Sequence, residues 1–318
     1  MKHMAGFSEC PLCPHHCKLK EGQSGFCKVR GCRNGEIIPL TFAEVAAFHL
    51  DPVEKKPLYH FYPGRQIFSV GGYGCNLHCF FCQNYEISQK YEQGRRIFPK
   101  QLTEMAAEDP SIGICFTYTE PLVWYEMILE TAPLIKEWGG KVVLVSNGII
   151  EQKYLEYLMP YLDAVNIDIK GFTPEFYEKY TGGKLEWVLK TVETLVPNVH
   201  TEITTLVIPD LNDSPQEIEA LAKWLSGLNT PLAWHLSKYH PMHKSKIPAT
   251  DEKKLRKLWR LAKETLPYVY LGNMAGGNTT YCPQCGQEVI TRDLRVTMKT
   301  MEGKCGHCGR DIWGVGLL

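Results

Sequence analysis

From residue 66 onward, short apolar runs alternate with loops and with stretches in which apolar positions recur at helical spacing. Six runs, 66–70, 112–118, 141–146, 164–170, 202–208 and 232–239, have the length and the β-branched or aromatic content of strands. Segments 121–138, 151–161, 174–180, 185–196, 214–228 and 250–265 read as the helices between and after them. Strand–helix alternation of this kind predicts a parallel sheet with crossover helices. Six units predict an α/β fold built on a partial (β/α)6 TIM-like barrel, short of the closed eight-unit form. Ligands of such folds sit at the carboxyl ends of the strands, so candidate chemistry is sought there.

The flanks break the pattern. Residues 1–64 are crowded with Cys, Gly and Pro, with a strand-like run at 36–42 and a proline-punctuated connector at 51–64. The connector's charges either line the entrance to the site or belong to a solvated linker around a buried aromatic cluster. Residues 271–318 hold two Cys-x2-Cys-Gly knuckles separated by a β-rich stretch at 288–299. The expected division is an N-terminal Cys-rich module and connector (1–64), a barrel (65–270) and a ribbon-like C-terminal module (271–318).

Composition removes several function classes. The 318 residues carry 35 Lys+Arg against 35 Asp+Glu, a balance without the basic footprint of a nucleic-acid binder. No run of eighteen apolar residues exists to span a membrane. The first residues show no apolar secretory core, and the expected compartment is the cytoplasm.

Thirteen cysteines in a reducing compartment argue for metal sites, not disulfides. Eleven fall into three groups: Cys75, Cys79 and Cys82; Cys10, Cys13, Cys17 and Cys27; Cys282, Cys285, Cys305 and Cys308. The C-terminal knuckles aim four thiolates at one point, a zinc-ribbon or rubredoxin-like site with Zn2+ as default and one iron as the alternative. The N-terminal four suit either a structural zinc or a second iron–sulfur cluster, with Cys32, His15 or His16 as substitutes for one ligand. Too few apolar residues surround them for a core, so a metal has to hold the segment together. Cys115 stands alone.

The first predicted strand runs into Gly71-Gly72-Tyr73-Gly74-Cys75-Asn76-Leu77-His78-Cys79-Phe80-Phe81-Cys82. Three cysteines spaced C-x3-C-x2-C can bind three corners of an iron–sulfur cube and leave one iron without a protein ligand; the alternatives are a zinc knuckle supplemented by His78, though zinc normally takes paired C-x2-C arms, or unrelated core cysteines. This loop, with Phe81 in the aromatic slot before the last cysteine, resembles the signature of the radical S-adenosylmethionine (SAM) superfamily. The resemblance implies a [4Fe–4S] cluster whose open iron is chelated by SAM, and reductive cleavage of SAM to a 5′-deoxyadenosyl radical. It extends to the predicted strand ends. Thr119-Glu120-Pro121 resembles the G-G-E-P stretch that receives the SAM ammonium, with Tyr118 and Thr119 in the glycine positions. Ser146-Asn147-Gly148 resembles the T-N-G stretch facing the ribose. Asp168-Ile169-Lys170 resembles the D-x-K motif of the pyruvate formate-lyase activating-enzyme branch. Tyr239-His240 resembles a Tyr-His strand end at which the His contacts SAM, His235 being the competing choice. Taken over the whole chain, the arrangement looks like the radical SAM member of the AmmeMemoRadiSam system.

The resemblance implies a one-electron reductant such as flavodoxin or ferredoxin and leaves the radical acceptor open. One option is an activase that draws hydrogen from a glycine of a partner protein. A second is direct action on a small molecule or modified residue, with the appended metal modules closing the barrel mouth. A third, non-enzymatic option is an electron-transfer or scaffold protein.

Overall fold

The computed structural model describes residues 6–108 and 110–317; residues 1–5, where no secretory core was expected, lie outside them. Its centre is an eight-stranded sheet: β1 (Ala47–Pro52), β2 (Gln66–Gly71), β3 (Ser111–Phe116), β4 (Lys141–Ser146), β5 (Ala164–Asp168), β6 (His200–Val207), β7 (Ala233–Lys238) and β8 (Val269–Gly272). The strands lie side by side in chain order, β1 to β8, and the two end strands are not bonded to each other. β1 is antiparallel to β2, with Ala47 opposite Gly71. The remaining neighbours are parallel.

Crossovers of one hand that all step the same way place every helix on one face. Those helices are α1 (Pro99–Ala106), α2 (Tyr125–Glu137), α3 (Gln152–Leu158), α4 (Pro174–Tyr180), α5 (Leu185–Leu195), α6 (Pro215–Gly227) and α7 (Glu252–Lys263). They pack Leu102, Ile128, Leu155, Val192, Leu221 and Leu255 against Ile114, Val142, Val165, Ile203 and Trp234 of the strands. Six β/α units are present, followed by a seventh parallel strand. Three elements lie outside the predicted set: β1, α1 and β8.

Alternation along each strand turns the next residue to the other face. On the concave side Ile67, Cys115, Val143 and Ala164 meet Val53, Leu58 and Phe61 of the connector in a second core. The connector is thus a plug in the bottom of the barrel. Its anchor is Glu202, which is fully buried. The N–H groups of Tyr59 and His60 donate to its Oε2 and Oε1 (2.9 and 2.7 Å), and the His235 and His200 rings approach the same oxygens at 2.7 and 3.1 Å. Burial alone would raise this carboxyl's pKa; the two imidazoles hold it well below the ordinary 4.5.

The C-terminal ribbon, with β9 (Thr280–Tyr281), β10 (Glu288–Arg292) and β11 (Val296–Met298), closes the same end from outside. Tyr62 N–H donates to Val315 O, and Val315 N–H to His60 O, both at 2.7 Å. The Arg292 guanidinium lies 4.4 Å over the Tyr59 ring. Burial drops the His60 pKa to about 3, so its neutral ring donates from Nδ1 to Trp313 O (2.6 Å) and accepts at Nε2 from Tyr270 O–H (2.5 Å). The ribbon therefore seals the floor of the barrel, at the end opposite the mouth it was expected to close.

Candidate active site

The cysteine loop leaves the carboxyl end of β2. Gly74, at φ +88°, brings its backbone so close to the N-terminal module that a Cβ there would lie 2.5 Å from Val29 Cγ2 and 2.7 Å from Cys27 O. Polar groups converge on the thiols. Leu77 N–H and Asn147 Nδ2 reach Cys75 Sγ at 3.3 and 3.6 Å, and the Ser88 hydroxyl lies 3.3 Å from Cys82 Sγ. Asn76, buried, ties the loop to the end of β4 through Ile149 O (2.7 Å) and the Asn147 amide (2.9 Å). His78 faces away, 3.0 Å from Phe26 O. Phe81 is buried among Phe80 and Phe176, 5.2 and 6.2 Å between centroids.

Cys75, Cys79, Phe81 and Cys82 line a cavity of about 350 Å³ at the mouth, together with Glu120, Ser146, Asn147, Asp168 and Lys170, a size ordinary for a small-molecule site. Both Glu120 oxygens are engaged: Leu122 N–H (3.0 Å) and Ser146 O–H (2.6 Å) on one, Asn147 N–H (2.8 Å) on the other. Glu120 thereby caps the turn Pro121–Trp124 and clamps Ser146-Asn147. Burial raises its pKa to about 7. Lys170 Nζ donates to Asp168 Oδ2 at 3.1 Å; burial opposes the Lys170 charge, but Asp168 and the nearby Cys79 sulfur raise its pKa further.

Neither His240 nor its competitor His235, the two choices for one expected contact, lines the cavity. His240 is exposed beyond β7 and is not among the residues lining the cavity. His235, two positions before Ser237 on the concave face, is held by Glu202 at the floor. The cavity instead draws on residues the motifs did not indicate: Lys55 and Lys56 of the plug, Asn166, Thr204, Ser237 and Asn273. Asn166 and Thr204 continue the alternation that exposes Asp168 and Glu202 to the interior. Lys56 Nζ bonds Asp51 Oδ2 (2.8 Å) and sits 4.7 Å over the Tyr118 ring, while Tyr118 O–H donates to the same Asp51 oxygen (2.8 Å). These contacts hold Tyr118 at φ +68°, backbone that glycine adopts without strain and tyrosine does not.

The three thiols fit a polynuclear cluster better than a single ion. Four sulfurs around one zinc, each about 2.3 Å from it, sit about 3.8 Å apart. The C-terminal quartet has that spacing: Cys282 to Cys308 is 3.6 Å and Cys285 to Cys305 is 3.7 Å. Among the described residues it is the one group of three or more metal-ligating side chains with ligand atoms all within 4.8 Å of one another. The loop triad is wider, as a cube requires when each sulfur takes a different iron.

Cys32, His15 and His16, weighed as substitutes in the N-terminal group, are engaged elsewhere. Cys32 faces Glu21, His15 bonds Asn76 O (2.8 Å), and His16 bonds Glu151 (3.0 Å). Cys115 is fully buried in the core above the plug.

A partial β/α barrel carrying a three-thiol loop at its mouth places a candidate cluster site where such folds bind their ligands. Residues 69–225 match the family described as Radical SAM superfamily. An uncharacterized protein of Methanocaldococcus jannaschii is 38% identical over 318 aligned positions, covering 95% of this chain and 94% of the relative. The pyruvate formate-lyase-activating enzyme of Clostridium pasteurianum is 26% identical, over 61% of this chain and 88% of that one. The crystal structure of a radical SAM methyltransferase from Sphaerobacter thermophilus shares the fold, with TM-score 0.54 at 15% identity over 72% of this chain and 71% of that one. The chain belongs to the radical SAM superfamily.

Proposed function

We propose that the protein holds a [4Fe–4S] cluster on Cys75, Cys79 and Cys82 and binds SAM in the cavity beside it. When bound, the cluster supplies the electron that cleaves SAM to methionine and a 5′-deoxyadenosyl radical, which takes a hydrogen atom from the substrate. The observation that carries this reading is the convergence of three thiols of one loop, two of them met by hydrogen-bonding groups, with Asp168 and Lys170 on a single cavity.

Within it, Lys170 and Asp168 offer an ammonium and a carboxylate to the amino-acid end of SAM. Glu120 positions the Ser146-Asn147 turn toward the ribose. Phe81 packs the loop down. The C-terminal four-cysteine site takes zinc and is structural, and the segments 1–64 and 271–318 serve the barrel of 65–270. Membership of the AmmeMemoRadiSam system, a cytoplasmic setting and a flavodoxin- or ferredoxin-class donor complete the proposal.

For the acceptor we favour a small polar molecule. Asn166 Oδ1 and Thr204 Oγ1 are buried without a hydrogen-bond partner in the protein on the wall of the cavity, and a polar substrate would satisfy both. Action on a partner protein, as in a glycyl-radical activase, is the second reading, supported by similarity to the pyruvate formate-lyase-activating enzyme. Anaerobic incubation with SAM and a strong reductant should yield 5′-deoxyadenosine. Deuterium transfer into that product from labelled small molecules, against labelled protein, separates the two acceptors.

A further inference from the structure

We propose that Cys10, Cys13, Cys17 and Cys27 ligate a second iron–sulfur cluster, not zinc, and that this cluster is the port through which electrons reach the cysteine loop. The relay half rests on the reading of the loop given above; the ligation half does not.

Cys10 and Cys27 are buried, and Cys13 and Cys17 are half-buried. They are stitched together by Cys10 N–H to Cys17 O (2.9 Å) and by Phe26 N–H to Cys17 Sγ (3.4 Å). Yet no three of their sulfurs lie within 4.8 Å of one another, whereas those of the C-terminal quartet do. The chain thus holds one compact tetrahedron suited to a single ion and a second quartet that, like the loop triad, has no three sulfurs so close, as in a cube whose thiolates each take a different iron.

A second observation concerns charge. Arg30 is buried and bound to Glu126 through Nη1 and Nη2 (both 2.7 Å). Its Nε is also buried with no partner in hydrogen-bond geometry, and the Cys10 side chain lies beside the guanidinium. An unsatisfied cationic donor beside a thiolate ligand suits a cluster carrying net negative charge.

Placement supplies the role. A Cβ on Gly74, the neighbour of Cys75, would lie 2.7 Å from the Cys27 carbonyl oxygen, so the two backbone segments run close together. Phe26 O accepts from His78, next to Cys79, and His15 bonds Asn76 O, next to Cys75. The His15, Phe26 and His78 rings stack in sequence at 4.4 and 3.9 Å. One electron enters from a low-potential donor of the flavodoxin or ferredoxin class, reduces the N-terminal cluster by one unit, and leaves to the loop cluster; no bond or proton is exchanged.

The test uses the full chain with Cys75, Cys79 and Cys82 all changed to Ala, reconstituted anaerobically beside wild type. About four irons and four sulfides should persist in the variant, against about eight of each in wild type, with a paramagnetic signal on reduction. Zinc alone, or no iron, would overturn the ligation. Iron equal in both proteins would sink the loop assignment and leave the N-terminal cluster standing. The same variant's cluster should be reduced by a flavodoxin donor; failure of that reduction would overturn the relay. In otherwise wild-type protein, Cys17→Ala with Cys27→Ala should lower 5′-deoxyadenosine formation driven by flavodoxin at least tenfold more than that driven by titanium(III) citrate. Flavodoxin-driven turnover at the wild-type rate would also overturn the relay.

Discussion

Glu202→Gln isolates the device that sets the barrel floor. Each Glu202 oxygen takes one backbone N–H from the plug and faces one imidazole. An amide keeps the shape but replaces one oxygen with an NH2 that cannot accept, so the N–H of Tyr59 or His60 is left unpaired in the interior. An orphaned buried donor costs about 1–3 kcal/mol, and losing the charge that strengthens the other contacts brings the total to about 3–5 kcal/mol. Against an ordinary stability of about 5–15 kcal/mol that is a large fraction. The thermal midpoint of the metal-replete chain should fall on the order of 10 °C, and hydrogen exchange should show lost protection at Tyr59 and His60. The pH sign follows from linkage: a depressed carboxyl contributes stability above its unfolded pKa of 4.5 and loses it as pH falls through the folded value. The gap between wild type and variant should therefore narrow as the pH falls below about 4.5. A variant within about 1 kcal/mol of wild type, with protection at Tyr59 intact, would refute Glu202 as the anchor.

Cys308→Ala should abolish metal binding at the proposed C-terminal site and make 280–317 sensitive to limited proteolysis, while iron on the loop is unchanged; iron loss in parallel would contradict a structural role for the ribbon. Lys170→Ala should leave the cluster in place and weaken SAM binding about tenfold or more, the scale of one lost charge-assisted contact of roughly 1.5–3 kcal/mol. Equilibrium dialysis under anaerobic conditions checks this, and unchanged affinity would remove Lys170 from the site. Thr204→Val should hold stability within about 0.5 kcal/mol, because its hydroxyl has no partner to lose; denaturant melts decide it, and a larger loss would show that the fold uses that hydroxyl.

Elements whose burial follows a simple period were legible in the sequence. Strands β2 to β7 are mostly buried apolar runs, and the helices α2 to α7 expose one polar face. β1 was not legible because it is a partly exposed edge, Ala-Phe-His-Leu-Asp-Pro, with Asp51 its one buried residue. α1 buries Pro99, Leu102 and Ala106 alone, and β8 is four residues long. The C-terminal four-cysteine site was legible because ligand spacing is local. Lys56, Asn166 and Thr204 come from the plug and two strands, and their meeting is a property of the curled sheet. Alternation from Asp168 back to Asn166, and from Glu202 on to Thr204, was the available signal. The same rule distinguishes His235, on the concave face beside Glu202, from His240 in the exposed loop.

The central claim is tested most directly by anaerobic reaction of the reconstituted protein with SAM and titanium(III) citrate, 5′-deoxyadenosine and methionine being quantified beside Cys79→Ala. The account predicts equal amounts of both products from wild type and none from the variant. No 5′-deoxyadenosine from wild type loaded with iron and sulfide, or equal product from both proteins, would contradict it.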